Sequence, residues 1–322
     1  MSPQPTRLAP YFREMIWGVT TLAPWFANSE KRIGEVWFWP EDRSILAKFI
    51  FTSDRLSVQV HPSDAQAARL EGTPGKSEMW HILRAQPGAR IALGPRQPVS
   101  RERLREAARS GEIEQLLEWI EVQAGETYFI YPGTIHTIGP GVALCEIQQY
   151  SDLTYRLYDY GRPRQLHLEK AVEVADLGPH PGRSTPVWLG EGRRLLASCP
   201  YFSVERWDLG SAIHHLAMPQ SPGVPGGTRF GLSRAAVENG PDKLKLIPQG
   251  VQCLPETEAL HHPAEGERGQ VLMVLEGRGS LGREPFKAGE VWLIPAGAEP
   301  LMVQGDGPAC VLRVWVPGPA AC

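Results

Sequence analysis

The sequence predicts an all-β protein with small helical additions. Its 322 residues include 33 glycines and 30 prolines, which is typical of many short strands joined by turns. Several segments alternate apolar and polar residues with a period of two, as residues 56–62 do, and this pattern indicates a strand with one buried face. A sequence repeat, described below, indicates two copies of one such unit.

The bulk properties are those of an ordinary globular chain, long enough for two domains. The net charge of -3 has both signs mixed along the chain, which argues against a nucleic acid or a membrane surface as the partner. No apolar run approaches the roughly 20 residues that span a bilayer, and the first residues lack the apolar core of a secretory signal. The five cysteines are odd in number and widely separated, so we expect reduced thiols and a cytoplasmic protein.

The elements can be assigned in order. Asp64 is the expected N-cap of a short helix over 64–70, and Ser100 and Gly111 bound a helix that residues 112–118 continue as a second one. Strands are predicted over 34–39, 45–51, 119–122, 142–148 and 154–158, and a further helix over 166–175. Within 98–118 lies the main helical stretch of an otherwise β-rich half.

Donor side chains cluster at three strand ends. In 56–62, the polar face carries Ser57, Gln59 and His61, and Pro62 ends the strand because it cannot donate to a ladder. Glu78 precedes an apolar run with high β propensity, and His136 follows a Pro-Gly turn. Two imidazoles, a carboxylate and an amide indicate a metal site.

The repeat aligns the second half of the chain with the first. Gly125, Glu126 and Gly133 correspond to Gly289, Glu290 and Gly297, in the same spacing. At the position of His136 the second copy has Pro300, which cannot bind a metal, and Gln270 falls at the position of Glu78. The second copy is therefore predicted to lack a site, which leaves one metal per chain. His214–His215 and His261–His262 are interpreted as loop residues rather than a second metal site.

Four motifs in order resemble the type I mannose-6-phosphate isomerases in their short bacterial form, a family of the cupin superfamily. They are Leu56-Ser-Val-Gln-Val-His-Pro62, Gly75-Lys-Ser-Glu-Met-Trp80, Gly133-Thr-Ile-His136 and the segment from Glu146 to Asp159. The resemblance covers most of residues 10–176. Where many relatives have Trp-Gly-Gly, this chain has Trp17-Gly18-Val19, and the helical insertion of the larger enzymes is reduced to 98–118.

The resemblance implies a role for each matching residue. Zinc, one ion per chain, would be bound by Gln59, His61, Glu78 and His136. Arg156 and Lys76 match active-site residues, Asp152 matches a proposed acid/base, and Ser57 matches a serine that contacts the phosphate. The implied fold is two cupin (jelly-roll-like) β-barrels. Residues 1–176 would form the catalytic, metal-binding barrel, 177–186 a linker, and 187–322 a degenerate barrel without a metal.

The implied activity is the interconversion of mannose 6-phosphate and fructose 6-phosphate through a cis-enediol. The oxygens of an enediol develop negative charge, which zinc can stabilise as a Lewis acid and which Arg156 and Lys76 can stabilise as fixed positive charges. The partner would be a small sugar phosphate, bound by a monomer or a homodimer.

Other interpretations stay open at this level. A lone histidine after a strand is more often a surface residue than a ligand, Lys76 could be a solvated loop lysine, and Arg156 could form a rim salt bridge to Asp152 or Asp159. Two histidines and one carboxylate also bind iron(II) in cupin oxygenases, although Gln59 would occupy an open position. A non-catalytic sugar-phosphate-binding protein is the third alternative, because cupins serve many functions.

Overall fold

The structure is a computed structural model that describes residues 2–210, 214–216 and 269–317. Strands dominate these residues and form four antiparallel sheets, as the all-β prediction requires. The first strands are β1 (Thr6–Arg7), β2 (Tyr11–Val19), β3 (Ile33–Phe38), β4 (Ile45–Phe51), β5 (Val58–Val60), β6 (Glu78–Ala85), β7 (Arg90–Pro95), β8 (Leu117–Glu121), β9 (Thr127–Ile130), β10 (His136–Ile138), β11 (Val142–Gln149) and β12 (Tyr155–Tyr158). The others are β13 (Val187–Gly190), β14 (Arg193–Ser198), β15 (Ser203–Leu209), β16 (His214–Leu216), β17 (Gln270–Glu276), β18 (Arg278–Leu281), β19 (Glu284–Lys287), β20 (Val291–Ile294), β21 (Leu301–Gly305) and β22 (Ala309–Trp315).

The sheets are stacked in layers. A six-stranded sheet (β2-β3-β4-β11-β6-β9) packs against a five-stranded one (β12-β5-β10-β7-β8), and together they form the first sheet pair. A seven-stranded sheet (β1-β20-β17-β22-β15-β14-β13) packs against a four-stranded one (β16-β21-β18-β19) to form the second pair. The six- and seven-stranded sheets share an apolar core between the pairs. Because β1 pairs with β20, the N-terminal residues lie on the second pair, and the domain limits given above stay a prediction.

Strand β4 shows how this layering determines the sequence pattern. Ala47, Phe49 and Phe51 face the core shared by the two sheet pairs, whereas Ile50 faces the interior of the first pair. A strand that is buried on both faces has no need of alternation, so it reads as a continuous apolar run. The one charged residue in this run, Lys48, is also buried.

The helices are short and lie outside the sheets. They are α1 (Asp64–Glu71), α2 (Arg101–Ser110), α3 (Ile113–Leu116) and α4 (Leu168–Val174). Helices α2 and α4 cover the outer face of the five-stranded sheet. None of the helices in the described ranges is long and apolar enough to cross a membrane.

Two local predictions were wrong. Ser63, and not Asp64, is the N-cap of α1: its hydroxyl accepts from the backbone N–H of Gln66 in a capping box, and Asp64 occupies the first turn. The second helix predicted over 112–118 is limited to α3, because Leu117 has extended backbone and begins β8, which pairs with β7. Tertiary pairing here overrides helix propensity.

Candidate active site

The predicted donors are brought together by strand pairing in the first sheet pair. Gln59 on β5 is the direct cross-strand partner of both His136 on β10 and Arg156 on β12. Glu78 begins β6 in the facing sheet, opposite Gln148. Side chains of directly opposite residues lie on the same face of a sheet, so β5, β10 and β12 point their polar residues at Glu78.

Three side chains form a compact set of potential metal ligands. The ligating atoms of His61, Glu78 and His136 all lie within 4.8 Å of one another. His61 Nε2 is 3.5 Å from Glu78 Oε2, and His136 Nε2 is 3.5 Å from Glu78 Oε1. All three side chains are buried. Within the part of the chain that the structure describes, this is the one such group of histidine, cysteine and acidic residues.

Both imidazoles are held in the tautomer that a metal requires. His61 Nδ1 donates to the carbonyl of Leu153 at 2.9 Å, and His136 Nδ1 donates to the carbonyl of Thr134 at 2.8 Å. A carbonyl only accepts, so each Nδ1 carries the proton and each Nε2 keeps its lone pair. Burial lowers the pKa of His136 to about 4 and that of His61 well below its usual value, so both rings stay neutral.

The carboxylate of Glu78 completes the fit to a cation. Neither of its oxygens accepts a hydrogen bond of normal geometry from the described residues, although both are fully buried. Burial, and then the nearby Glu146, raises the pKa of Glu78. Lys76 Nζ lies 3.0 Å from Glu78 Oε2 and 3.1 Å from His61 Nε2, so a positive charge already sits among these atoms. A buried carboxylate whose oxygens accept no hydrogen bond of normal geometry and two neutral imidazole lone pairs fit a divalent metal ion.

Gln59 is close enough to supply a fourth ligand. Its Nε2 lies 3.3 Å from His136 Nε2, and its Oε1 accepts from the Ser57 hydroxyl at 3.3 Å. Rotating the carboxamide by 180° would turn Oε1 toward His136, and Ser57 would then accept instead of donating, because a hydroxyl does both. The structure therefore places Gln59 beside the other three residues, with its amide nitrogen facing them.

Arg156 and Asp152 lie further from the ligands. Arg156 Nε donates to Ser57 Oγ at 3.2 Å and its Nη1 donates to the carbonyl of Gln165 at 2.6 Å, which aims the guanidinium into the cavity beside Ser57. The rim salt bridge considered for Arg156 is not formed: Asp159 instead pairs with Arg162 and Arg164. The side chain of Asp152 is 63% exposed and lies 4.0 Å from Arg13, so it stands at the mouth of the cavity.

One cavity of about 240 Å³ is bordered by most of these groups, namely Ser57, Gln59, Lys76, His136, Asp152 and Arg156. His61 and Glu78 are not part of its wall, but they contact Lys76 and His136, which are. Its walls also include charged and aromatic residues that were not selected from the sequence: Arg13, Trp17, Glu35, Lys48, Trp80, Glu146 and Arg164. The central feature among them is a buried ion pair between Lys48 Nζ and Glu146 Oε1, 2.9 Å apart. Trp80 Nε1 donates to the other oxygen of Glu146 at 2.8 Å. The available signal was a single lysine inside the apolar run 45–51 and a single glutamate inside 142–148.

The second sheet pair has a row of three cross-strand neighbours that corresponds to the row of Trp80, Glu146 and Lys48, but with the acidic and basic positions exchanged. Trp80, Glu146 and Lys48 are direct cross-strand neighbours, and the corresponding row is Leu272, Arg313 and Glu205. Arg313 Nη1 lies 3.5 Å from Glu205 Oε2, and the Nε of Arg313 donates to Gln270 Oε1 at 2.7 Å. Gln270 begins β17 as Glu78 begins β6, so a guanidinium and an amide stand where the first pair has carboxylates.

The structure tests the loop interpretation of one of the two histidine pairs in the second half of the chain. His214–His215 was interpreted as a loop, but both residues lie in β16, and His214 is buried against Trp207 at a ring distance of 5.5 Å. The interpretation was wrong because the two residues pair with Val303 and Met302 of β21. His261–His262 lies outside the described residues.

Comparison with known proteins identifies relatives of the chain. No protein-family model matches it. A mannose-6-phosphate isomerase of Streptococcus mutans is 39% identical over 178 residues, which are 52% of this chain and 56% of that protein, so this match spans little more than half of the relative. A mannose-6-phosphate isomerase of Bacillus subtilis is 34% identical over 260 residues, which are 66% of this chain and 82% of that protein.

Solved structures show the same fold over nearly the whole length. The crystal structure of the mannose 6-phosphate isomerase from Bacillus subtilis superposes with a TM-score of 0.75 at 24% identity, covering 98% of this chain and 100% of that one. A zinc-bound mannose 6-phosphate isomerase superposes with a TM-score of 0.67 at 14% identity, covering 97% and 99%. The predicted fold class is confirmed, and the extent and identity of the Bacillus subtilis match show that the chain belongs to the mannose-6-phosphate isomerase family.

Proposed function

We propose that this protein is a zinc-dependent aldose–ketose isomerase that interconverts mannose 6-phosphate and fructose 6-phosphate through a cis-enediol. The observation that carries the proposal is the composition of one cavity, whose wall contains His136 of the metal-ligand cluster, Gln59, and an arginine–serine pair. Family membership supports the same substrates.

The two groups suit the two ends of a sugar phosphate. His61, Glu78, His136 and Gln59 would hold the metal, and a zinc ion there would supply a Lewis acid for the oxygens on carbons 1 and 2. Arg156 and Ser57 would bind the phosphate, because a guanidinium and a hydroxyl offer several donors to its oxygens. Arg164 adds positive charge on the same side, and its bond to Asp159 through two nitrogens fixes its position.

Lys76 lies between these functions. Its ammonium is buried against His61 and Glu78, and it would donate to a hydroxyl or carbonyl oxygen of the open-chain sugar. Because the same ammonium now contacts two of the proposed ligands, we expect it to move toward the substrate oxygens when a metal is bound.

Isomerisation requires a base to carry a proton between carbons 1 and 2. Asp152 was predicted for this role, but its exposed position at the mouth places it beside bulk water. Glu146 lies in the wall of the cavity on the same strand face as Gln148, the partner of Glu78. Burial opposes its ionisation, but Lys48 and then Lys76 lower the pKa of Glu146, so the carboxylate is present to accept a proton. We therefore propose Glu146 as a second candidate for the base.

The base can be identified by isotope exchange. Glu146→Gln and Asp152→Asn would each be incubated with fructose 6-phosphate in deuterium oxide, and deuterium incorporation at carbon 1 measured by NMR. The variant that lacks the base loses both exchange and turnover. If both variants exchange at the wild-type rate, neither residue is the base.

A coupled assay tests the proposed function itself. We expect the protein to convert mannose 6-phosphate to fructose 6-phosphate, to lose this activity with a chelator, and to regain it with zinc, at one equivalent per chain by elemental analysis. Arg156→Ala should remove most turnover while the fold and metal content are kept, and Arg109→Ala, at a side chain that is 65% exposed, is the matched control. Full activity of the chelated protein, or of Arg156→Ala, would contradict the proposal.

The alternatives give different results in the same preparation. An iron(II) oxygenase would consume oxygen when loaded with iron. This alternative is tested because His61, Glu78 and His136 could also bind iron(II). A binding protein would bind fructose 6-phosphate without converting it. We further propose that the protein acts in the cytoplasm as a monomer or homodimer. The free thiols of Cys145, Cys199 and Cys310 in the structure support a reducing compartment.

A further inference from the structure

The loop that carries Lys76 is held in place by a hydrogen-bond network. The Lys76 N–H donates to the carbonyl of Pro62 at 3.0 Å, immediately after His61. The Gly75 N–H donates to Asp64 Oδ1 at 2.7 Å, and the Ser77 N–H donates to Gln149 Oε1 at 2.7 Å. Every backbone N–H from Gly75 to Ser77 therefore has a specific partner.

Asp64 connects the members of this network. Its Oδ1 accepts hydrogen bonds from the Gly75 N–H and from Gln149 Nε2, the second at 3.0 Å. Because Gln149 also binds the Ser77 N–H, this one carboxylate oxygen connects both ends of the segment 75–77. The fit is close: a Cβ at Gly75 would stand 2.5 Å from the backbone nitrogen of Asp64 and 2.7 Å from the carbonyl oxygen of Pro62. Only glycine lets the loop approach this near to the start of α1.

The second oxygen of Asp64 is bound from the second sheet pair. Tyr201 donates its hydroxyl to Asp64 Oδ2 at 2.5 Å. Tyr201 lies in the turn between β14 and β15, and that turn is itself closed by a hydrogen bond from the Cys199 N–H to the Phe202 carbonyl. The hydroxyl therefore reaches Asp64 in the first pair from a hydrogen-bonded turn of the second pair.

We infer that Tyr201 and Asp64 are positioning residues that hold Lys76 over the metal-ligand set, so that the second sheet pair takes part in catalysis. This inference rests on the proposed isomerase function. Tyr201 is not one of the residues that line the cavity, and it acts through Asp64, Gly75 and the backbone of Lys76.

The test compares variants that remove different parts of this network. Tyr201→Phe deletes only the hydroxyl, and Asp64→Ala removes all three hydrogen bonds to the carboxylate, whereas Asp64→Asn keeps an oxygen for the Gly75 N–H. We expect kcat to fall about tenfold for Tyr201→Phe and further for Asp64→Ala, with Asp64→Asn between wild type and Asp64→Ala, because a hydrogen bond to a charged group is worth at least that factor. Tyr128→Phe is the matched control, since Tyr128 donates to Glu126 at 2.9 Å away from the loop.

Two further measurements separate positioning from a general loss of stability. If Tyr201 acts through Lys76, adding Tyr201→Phe to a Lys76→Arg variant should lower kcat much less than it does in the wild type. Hydrogen–deuterium exchange should show that the amides of Gly75 and Ser77 exchange faster in Tyr201→Phe by a larger factor than the loss of global stability in urea unfolding accounts for.

The outcomes also separate this inference from the proposed function. A wild-type protein without isomerase activity would contradict the proposed function, and the exchange of the Gly75 and Ser77 amides would still decide whether Tyr201 holds the loop. An active wild type whose kcat and loop exchange are both unchanged by Tyr201→Phe would overturn the inference. Equal losses of kcat in the wild-type and Lys76→Arg backgrounds would also overturn it.

Discussion

The buried ion pair between Lys48 and Glu146 gives the sharpest stability prediction. The two side chains are 4% and 5% exposed, their charged atoms are 2.9 Å apart, and Trp80 is the neutral donor to the second oxygen of Glu146. Lys48→Met keeps most of the side-chain volume but leaves the buried carboxylate without its direct counter-charge. Breaking a buried pair in this way costs about 3–5 kcal/mol, a large part of a total stability of about 5–15 kcal/mol.

The free energy of unfolding would be measured by urea denaturation at pH 7.5. The matched control is Arg69→Met, which breaks the ion pair between Arg69 and Glu173; these side chains are 58% and 46% exposed, so the loss should stay below about 1 kcal/mol. The double variant Lys48→Met/Glu146→Leu should regain most of the stability, because two apolar side chains need no compensation for lost hydration. It should stay inactive, since both residues border the cavity.

The reasoning fails if Lys48→Met destabilises no more than Arg69→Met. Such a result would mean that Glu146 reaches water in solution, and its carboxylate could not be held in the cavity wall as described. A double variant that is less stable than Lys48→Met alone would contradict the same point.

Three more predictions concern pH, packing and metal. Burial, and then Arg206, lowers the pKa of His81 to about 3. This pKa lies below the value of about 6.5 in the unfolded chain, so His81 contributes its full stability above pH 6.5. The contribution falls as the pH drops, and at pH 5 about 2 kcal/mol is lost. His81→Gln should remove that part of the pH dependence in urea titrations at pH 5 and 8, and an unchanged difference would refute it. Gly75→Ala should cost about 1–3 kcal/mol because its Cβ meets backbone atoms at 2.5 Å, and an unchanged unfolding midpoint would contradict the described contact. Zinc at about 100 times its Kd should stabilise chelator-treated protein by about 2.7 kcal/mol, raising its Tm, and should not do so in His136→Ala; equal shifts in both would place the metal elsewhere.

The elements that were predicted correctly are those with local signals. Helix α2 lies between Ser100 and Gly111, the two caps that its sequence displays, and β4 and β11 are mainly apolar segments. The positions of Gln59 on β5 and of His61 just after it, on the same side of the chain, follow from a period of two alone. Such signals act between residues that are near in the chain, so they can be read before the fold is known.

The residues missed by sequence reasoning depend on contacts between distant segments. Lys48 and Glu146 are 98 residues apart and meet only because β4 and β11 pair in one register. The link from Tyr201 to Asp64 spans 137 residues and exists only because the two sheet pairs pack against each other. Neither residue type nor spacing in the sequence indicates these partners.

From its sequence alone, this chain could be assigned an all-β fold, a candidate metal-ligand set and a family, because alternation, turn residues and short motifs carry that information locally. Which nitrogen of each imidazole is free, which carboxylate lies in the cavity wall and which loop is anchored from the second sheet pair were decided only by the tertiary structure. The physical reason is that burial and hydrogen bonding are properties of an environment, and each of these environments is assembled from strands far apart in the chain.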